Sequence, residues 1–91
     1  MKVFGVEKLY RFMKKHAEAR SRVESWLAFA KDAQWRTPAD VKEWDASASI
    51  LEDNRVIFDL SRQYRIEARI AYKNQAIVVL NIGTHNEYNR W

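Results

Sequence analysis

Residues 64–72 read Tyr-Arg-Ile-Glu-Ala-Arg-Ile-Ala-Tyr, a strict alternation. Tyr64, Ile66, Ala68, Ile70 and Tyr72 fall on one side of an extended chain; Arg65, Glu67, Arg69 and the following Lys73 fall on the other. This period of two predicts a half-buried antiparallel strand with a charged face. The run "RVIFDL" at 55–60 precedes it across "SRQ", and "AIVVLNI" at 76–82 follows across "KNQ". Connections this short predict a meander of strands. The last run is apolar on both faces, which places it at the centre of the sheet or under other elements.

Upstream of residue 45 the period changes. After a short extended start at Lys2–Phe4, Val6, Leu9, Tyr10 and Met13 recur at i, i+3, i+4 and i+7, one apolar face of a helix whose other side carries Lys8, Arg11, Lys14 and Lys15. Val23, Trp26, Leu27 and Ala30 repeat the spacing; the join lies near "HAEAR", and the pattern leaves open two helices or one bent helix. In "TPADVKEW" Thr37 caps, Pro38 takes the first helical position and Asp40 the positive first turn of a short third helix. "DASASILEDN" then breaks the helical period. Helices followed by a meander predict an α+β fold, with the N-terminal helices packed on one face of a small antiparallel sheet.

Ninety-one residues with 47% apolar and 31% charged content fit one domain, 1–91, with one core. With no cysteine, the chain has neither disulfides nor a thiolate site. No apolar run is longer than "AIVVL", and "MKVFGVEKLY" lacks a signal-peptide core, so the expectation is a soluble cytoplasmic protein with no membrane partner. The net charge of +4 is unevenly spread: Lys/Arg outnumber Asp/Glu seven to three over 1–30 and six to three over 55–91, whereas acids lead six to three between them. Basic ends around an acidic middle suit either solubility or a polyanionic partner.

The charged face of the 64–72 strand has two readings: a solvated face with cross-strand pairs such as Arg65 with an acid, or a cationic surface of Arg62, Arg65, Arg69 and Lys73 that grips phosphates. His16, among lysines, reads as a surface residue, and two distant histidines without cysteine make no zinc site; no metal or other cofactor is expected. His85 differs, because it follows directly on an apolar strand. Thr84 and Glu87 form a capping-box pattern, so "THNEY" is expected to begin one helical turn with His85 and Tyr88 on roughly the same side. Read alone, the pattern fits a structural clip as well as half of an active site.

Taken in order, "EKLYRFMKKHAEAR", "WRTPADV", "SASIL", "NRVIFDL", "YRIEARIAY" and "IGTHNEY" resemble the HigB-type toxins of bacterial toxin–antitoxin modules, relatives of the RelE-like ribonucleases. The resemblance covers nearly the whole chain. It implies a RelE-like α+β endoribonuclease, independent of metal, that cleaves mRNA in the context of translation and is neutralised by a HigA-type helix-turn-helix antitoxin. The matching positions are Arg65 in "YR" and Thr84, His85, Glu87 and Tyr88 in "THNEY". On this reading Arg65 clamps phosphate, His85 is a general acid or base, Tyr88 transfers a proton or stacks on a base, and Lys73 supports the catalytic charge. Arg62, Arg69, Lys14 and Lys15 contact RNA; the helix face bearing Lys14 and Lys15 suits an antitoxin equally well. The chain departs from the family pattern at Asn89, where an aspartate is usual, and at "SRQ", where the loop is commonly glycine-rich. A non-catalytic RNA- or ribosome-binding module is the alternative that uses the same basic faces.

Overall fold

The computed structural model describes residues 1–88, the last of them through its backbone. Strand β1 (Lys2–Phe4) leads into helix α1 (Val6–Lys15), a 3-10 turn (Ala17–Ala19), α2 (Arg20–Asp32) and α3 (Pro38–Trp44). Strands β2 (Ser49–Ile50), β3 (Arg55–Asp59), β4 (Tyr64–Ala71) and β5 (Ala76–Thr84) follow, and the turn α4 (His85–Tyr88) ends the described chain. The sheet order is β1-β5-β4-β3-β2. The expected meander of β3, β4 and β5 is antiparallel; β2, in the stretch read only as a break in the helical period, extends it by a two-residue antiparallel strand, and β1 adds to it in parallel along Ala76–Val78, so the sheet is mixed rather than antiparallel throughout.

Pleating sorts the side chains. Val56, Phe58, Ile66, Ala68, Ile70, Ile77 and Val79 face the helices in one core with Leu9, Phe12, Met13, Val23, Trp26 and Val41. Part of the doubly apolar pattern of β5 comes from a bulge: Glu67 faces Asn81 but the next residue, Ala68, faces Val79, so Leu80 is an extra residue, while Val78 stays exposed on the outer face. One inserted residue exchanges the faces. Ile77 and Val79 therefore point to the core before the bulge, and Ile82 packs against it after.

The helical readings hold with one rotation. Val23, Trp26, Leu27 and Ala30 are buried in α2, and Thr37 and Asp40 form a reciprocal capping box at α3. In α1 the buried set is Leu9, Phe12 and Met13, whereas Tyr10 is exposed, because the helix axis turns Phe12 onto Tyr64 of β4. The two N-terminal helices are separate: α1 ends at His16 (φ −128°, ψ 71°) before the 3-10 turn. Among the described residues no helix is long and apolar enough to cross a membrane.

Gly5 permits the passage from β1 into α1. Its φ is +82°, and a Cβ there would lie 2.6 Å from the Val79 carbonyl oxygen. An alanine would meet both a left-handed backbone and a wall of backbone atoms. Gly5→Ala is expected to cost about 1–3 kcal/mol, lowering Tm by roughly 4–8 °C per kcal/mol. A Tm equal to that of the wild type in thermal unfolding by circular dichroism would contradict this backbone path.

Candidate active site

The β4–β5 pairing brings two distant segments of sequence to one rim of the sheet. Tyr64 lies opposite Thr84 and Arg65 opposite Gly83, so the first residues of β4 sit beside the residues that lead into His85. The Thr84 N–H donates to Glu87 Oε1 (3.0 Å) and the Glu87 N–H to Thr84 Oγ1 (3.3 Å), the expected capping box. These bonds, the backbone one first, hold the Glu87 carboxyl below its ordinary pKa. The His85 N–H donates to the Gln63 carbonyl (3.1 Å), tying the turn to the β3–β4 loop. A Cβ on Gly83 would lie 3.1 Å from that of Glu87, so the glycine lets α4 fold tightly against the strand.

The "SRQ" loop keeps its shape without glycine. Ser61 Oγ accepts from the N–H groups of Gln63 (3.1 Å) and Tyr64 (3.3 Å). Among the described residues positive φ at non-glycine positions falls at Asp53, Asn54 and Gln75, none of them in this loop. A serine turn closes the hairpin instead. Arg62, Gln63, Tyr64, Thr84, His85 and Asn86 line a cavity of about 390 Å³ at the rim.

Beside it sits a cluster that the sequence reading did not single out. The His16 ring stacks on Phe12 (centroids 4.4 Å apart, planes at 28°) and lies 5.4 Å from the Tyr64 ring. His16 Nδ1 is 3.5 Å from Glu18 Oε1, and the Tyr64 hydroxyl donates to the same oxygen. The Tyr64 hydrogen bond pulls the Glu18 carboxyl below its ordinary pKa, and Glu18 in turn pushes the phenol above its own. No spacing rule links residues 16, 18 and 64.

The other candidates are distributed unevenly. Arg65 Nε is 2.9 Å from Asp59 Oδ1, its cross-strand partner, so the expected pairing with an acid is present and fixes the arginine's direction. Glu67, expected on a solvated face, is buried; its oxygens accept from Arg55 Nη1 (2.9 Å) and Asn81 Nδ2 (2.7 Å). Arg69 is exposed and donates to the Asp53 carbonyl (3.2 Å). Lys73 is not brought to His85: it follows the far end of β4, roughly 23 Å along the strand from Tyr64 at about 3.3 Å per residue. There it lines a separate cavity with Gln34, Arg36, Tyr72 and Gln75. Lys14 and Lys15, with Lys8, Arg11 and His16, form one wall of a groove of about 490 Å³ whose other wall is Leu80–Ile82 and Glu87. The backbone of Tyr88 closes α4; its side chain, and Asn89, lie outside the described residues.

Helices on one face of a small, mostly antiparallel sheet define a RelE-like α+β fold. Residues 19–91 match the family model of the HigB toxin, described as the RelE-like toxic component of a toxin–antitoxin system. The chain belongs to the HigB toxin family: it is the toxin of such a pair, and an antitoxin is its partner. A comparison with curated proteins gave no match.

The Glu18–Tyr64 bond makes stability depend on pH in a defined sense. The Glu18 pKa is lowered on folding, so its contribution is present above the unfolded value of about 4.3 and lost as pH falls through the folded one. The Tyr64 pKa is raised, so the same bond is present below about pH 10 and lost as pH rises through the folded value. Tyr64→Phe should lower Tm near neutral pH, and its deficit against the wild type should shrink below about pH 4. A deficit constant from pH 3 to 9 in thermal melts would contradict the pairing.

Proposed function

We propose that the chain is an endoribonuclease that cuts mRNA during translation and is neutralised by a HigA-type helix-turn-helix antitoxin. The observation that carries this reading is the β4–β5 register, which sets Arg65 opposite Gly83 and His85 two residues beyond, at one rim of a basic domain. RNA supplies its own nucleophile. The 2′-oxygen attacks the adjacent phosphorus, its proton goes to a base, the P–O5′ bond breaks to leave a 2′,3′-cyclic phosphate, and an acid protonates the departing 5′-oxygen. Histidine titrates near neutrality and suits either proton role, while arginine stabilises the charge on the phosphorane.

In this reading His85 transfers a proton and Arg65, aimed by Asp59, holds the scissile phosphate. Arg62 adds positive charge to the cavity that His85 lines, and Tyr88 supplies the second proton-transfer or stacking group. Arg69, Lys14 and Lys15 carry flanking RNA, and Lys73, at the opposite end of β4, has no part in the chemistry.

Purified protein incubated with mRNA, with and without translating ribosomes, should produce cut ends mapped by primer extension. His85→Ala should slow cleavage by about 10²- to 10⁴-fold and Arg65→Ala by about 10²- to 10³-fold, with unchanged circular dichroism. A folded double variant that cuts at the wild-type rate would sink the site assignment. Wild-type protein that binds RNA in a salt-dependent way and leaves it intact would instead be a non-catalytic RNA- or ribosome-binding module.

A further inference from the structure

We infer that His16 is a second phosphate contact of the RNA site, gripping as the imidazolium a backbone phosphate in the groove between α1 and β5, next to the one cut at His85. The inference rests on the reading of the protein as one that acts on RNA. It starts from how firmly the ring is held. His16 ends α1 with its N–H still bonded to the Phe12 carbonyl (2.9 Å), its ring stacked on Phe12 and its Nδ1 beside Glu18. With Glu18 beside Nδ1, Nε2 is the ring nitrogen left to meet a ligand.

The surroundings select an anion. β1 covers only Ala76–Val78 of β5, and α1 lies beside the rest, with Lys8 Nζ donating to the Leu80 carbonyl (3.1 Å). Four cations of α1, Lys8, Arg11, Lys14 and Lys15, line the groove, and among the described residues one carboxylate does, Glu87, which is engaged by Thr84. The nearness of the His85 cavity favours RNA over an acidic protein segment. Tyr64 holds Glu18 on one side and lines that cavity on the other, and α4 contributes Glu87 to the groove and His85 to the cavity.

Among the described residues, the charged and titratable groups facing His16 are those four cations, Glu18 of the 3-10 turn, Tyr64 of β4 and Glu87 of α4. Both carboxyls are held low and the phenol high, away from neutral pH, and imidazole is the side chain whose charge ordinarily changes near neutrality. Phosphate affinity should therefore rise as pH falls.

The test is binding of a fluorescent single-stranded RNA carrying 2′-O-methyl groups throughout, which blocks the nucleophile, followed by anisotropy. In a His85→Gln protein His16 is the remaining one of the two histidines. Its affinity should rise roughly 3- to 10-fold from pH 8.5 to 5.5, the order of one added charge-assisted contact. Adding His16→Gln should abolish the rise and flatten the log–log salt slope at pH 5.5 by about 0.7. Adding His16→Arg, whose planar cation can keep the stack on Phe12, should leave tight binding at both pH values and guards against misfolding of the glutamine variant. A rise that survives His16→Gln overturns the inference, as does RNA binding unchanged while antitoxin affinity falls, which would give the groove to an acidic protein segment. Wild-type protein that shows the His16-dependent profile yet cuts no RNA would retire the nuclease reading and leave this contact standing.

Discussion

Strands β4 and β5 pair antiparallel from Tyr64 opposite Thr84 to Ala71 opposite Ala76, with Leu80 inserted between Val79 and Asn81. That extra residue resets which way every later side chain of β5 points. Without it, Ile82 would leave the core, and Gly83 would lose its place opposite Arg65. With it, Ile66 and Ile82 close the core, Arg65 and Gly83 share the open face, and α4 begins where β4 begins. The position of the candidate site is thus a consequence of register, and α1 completes it by lying along the part of β5 that β1 leaves uncovered.

Charge on the two sides of that ladder is organised differently. On the open face Arg55 meets Glu67 and Arg65 meets Asp59, each pair in register across neighbouring strands or close to it. Such pairs fix the direction of the guanidinium groups and reduce the field that they send outward. Along α1 the cations stand together in a groove whose lining, among the described residues, holds a single carboxylate. A polyanion would meet least competition in that groove, which opens beside the rim where the histidine cluster and α4 meet.

Much of this architecture was legible in local patterns. Alternation in residues 64–72 marked β4 and its inward set, and the Thr37–Asp40 and Thr84–Glu87 signals marked two turns that form as expected. Local spacing failed where two answers were nearly equivalent. Tyr10 and Phe12 both border the apolar stripe of α1, and only the place of β4 beneath the helix decides that Phe12 is covered. Glu67 looked like a member of a solvated row because nothing in its own strand announces Arg55 and Asn81, twelve and fourteen residues away.

The sequence by itself determined the helical first half and the three long strands of the second, the capped turn that carries His85, and the basic face of α1, because each depends on residues within a turn or two of one another; the break between α1 and α2 and the short β2 were not legible in it. The tertiary structure alone decided that β1 joins the sheet in parallel, that Leu80 bulges, and that His16 lies against Tyr64 and Glu18 while Lys73 stays at the far end of β4. Those outcomes come from strand register and helix placement, which are set by how the whole core fills rather than by any short run of side chains.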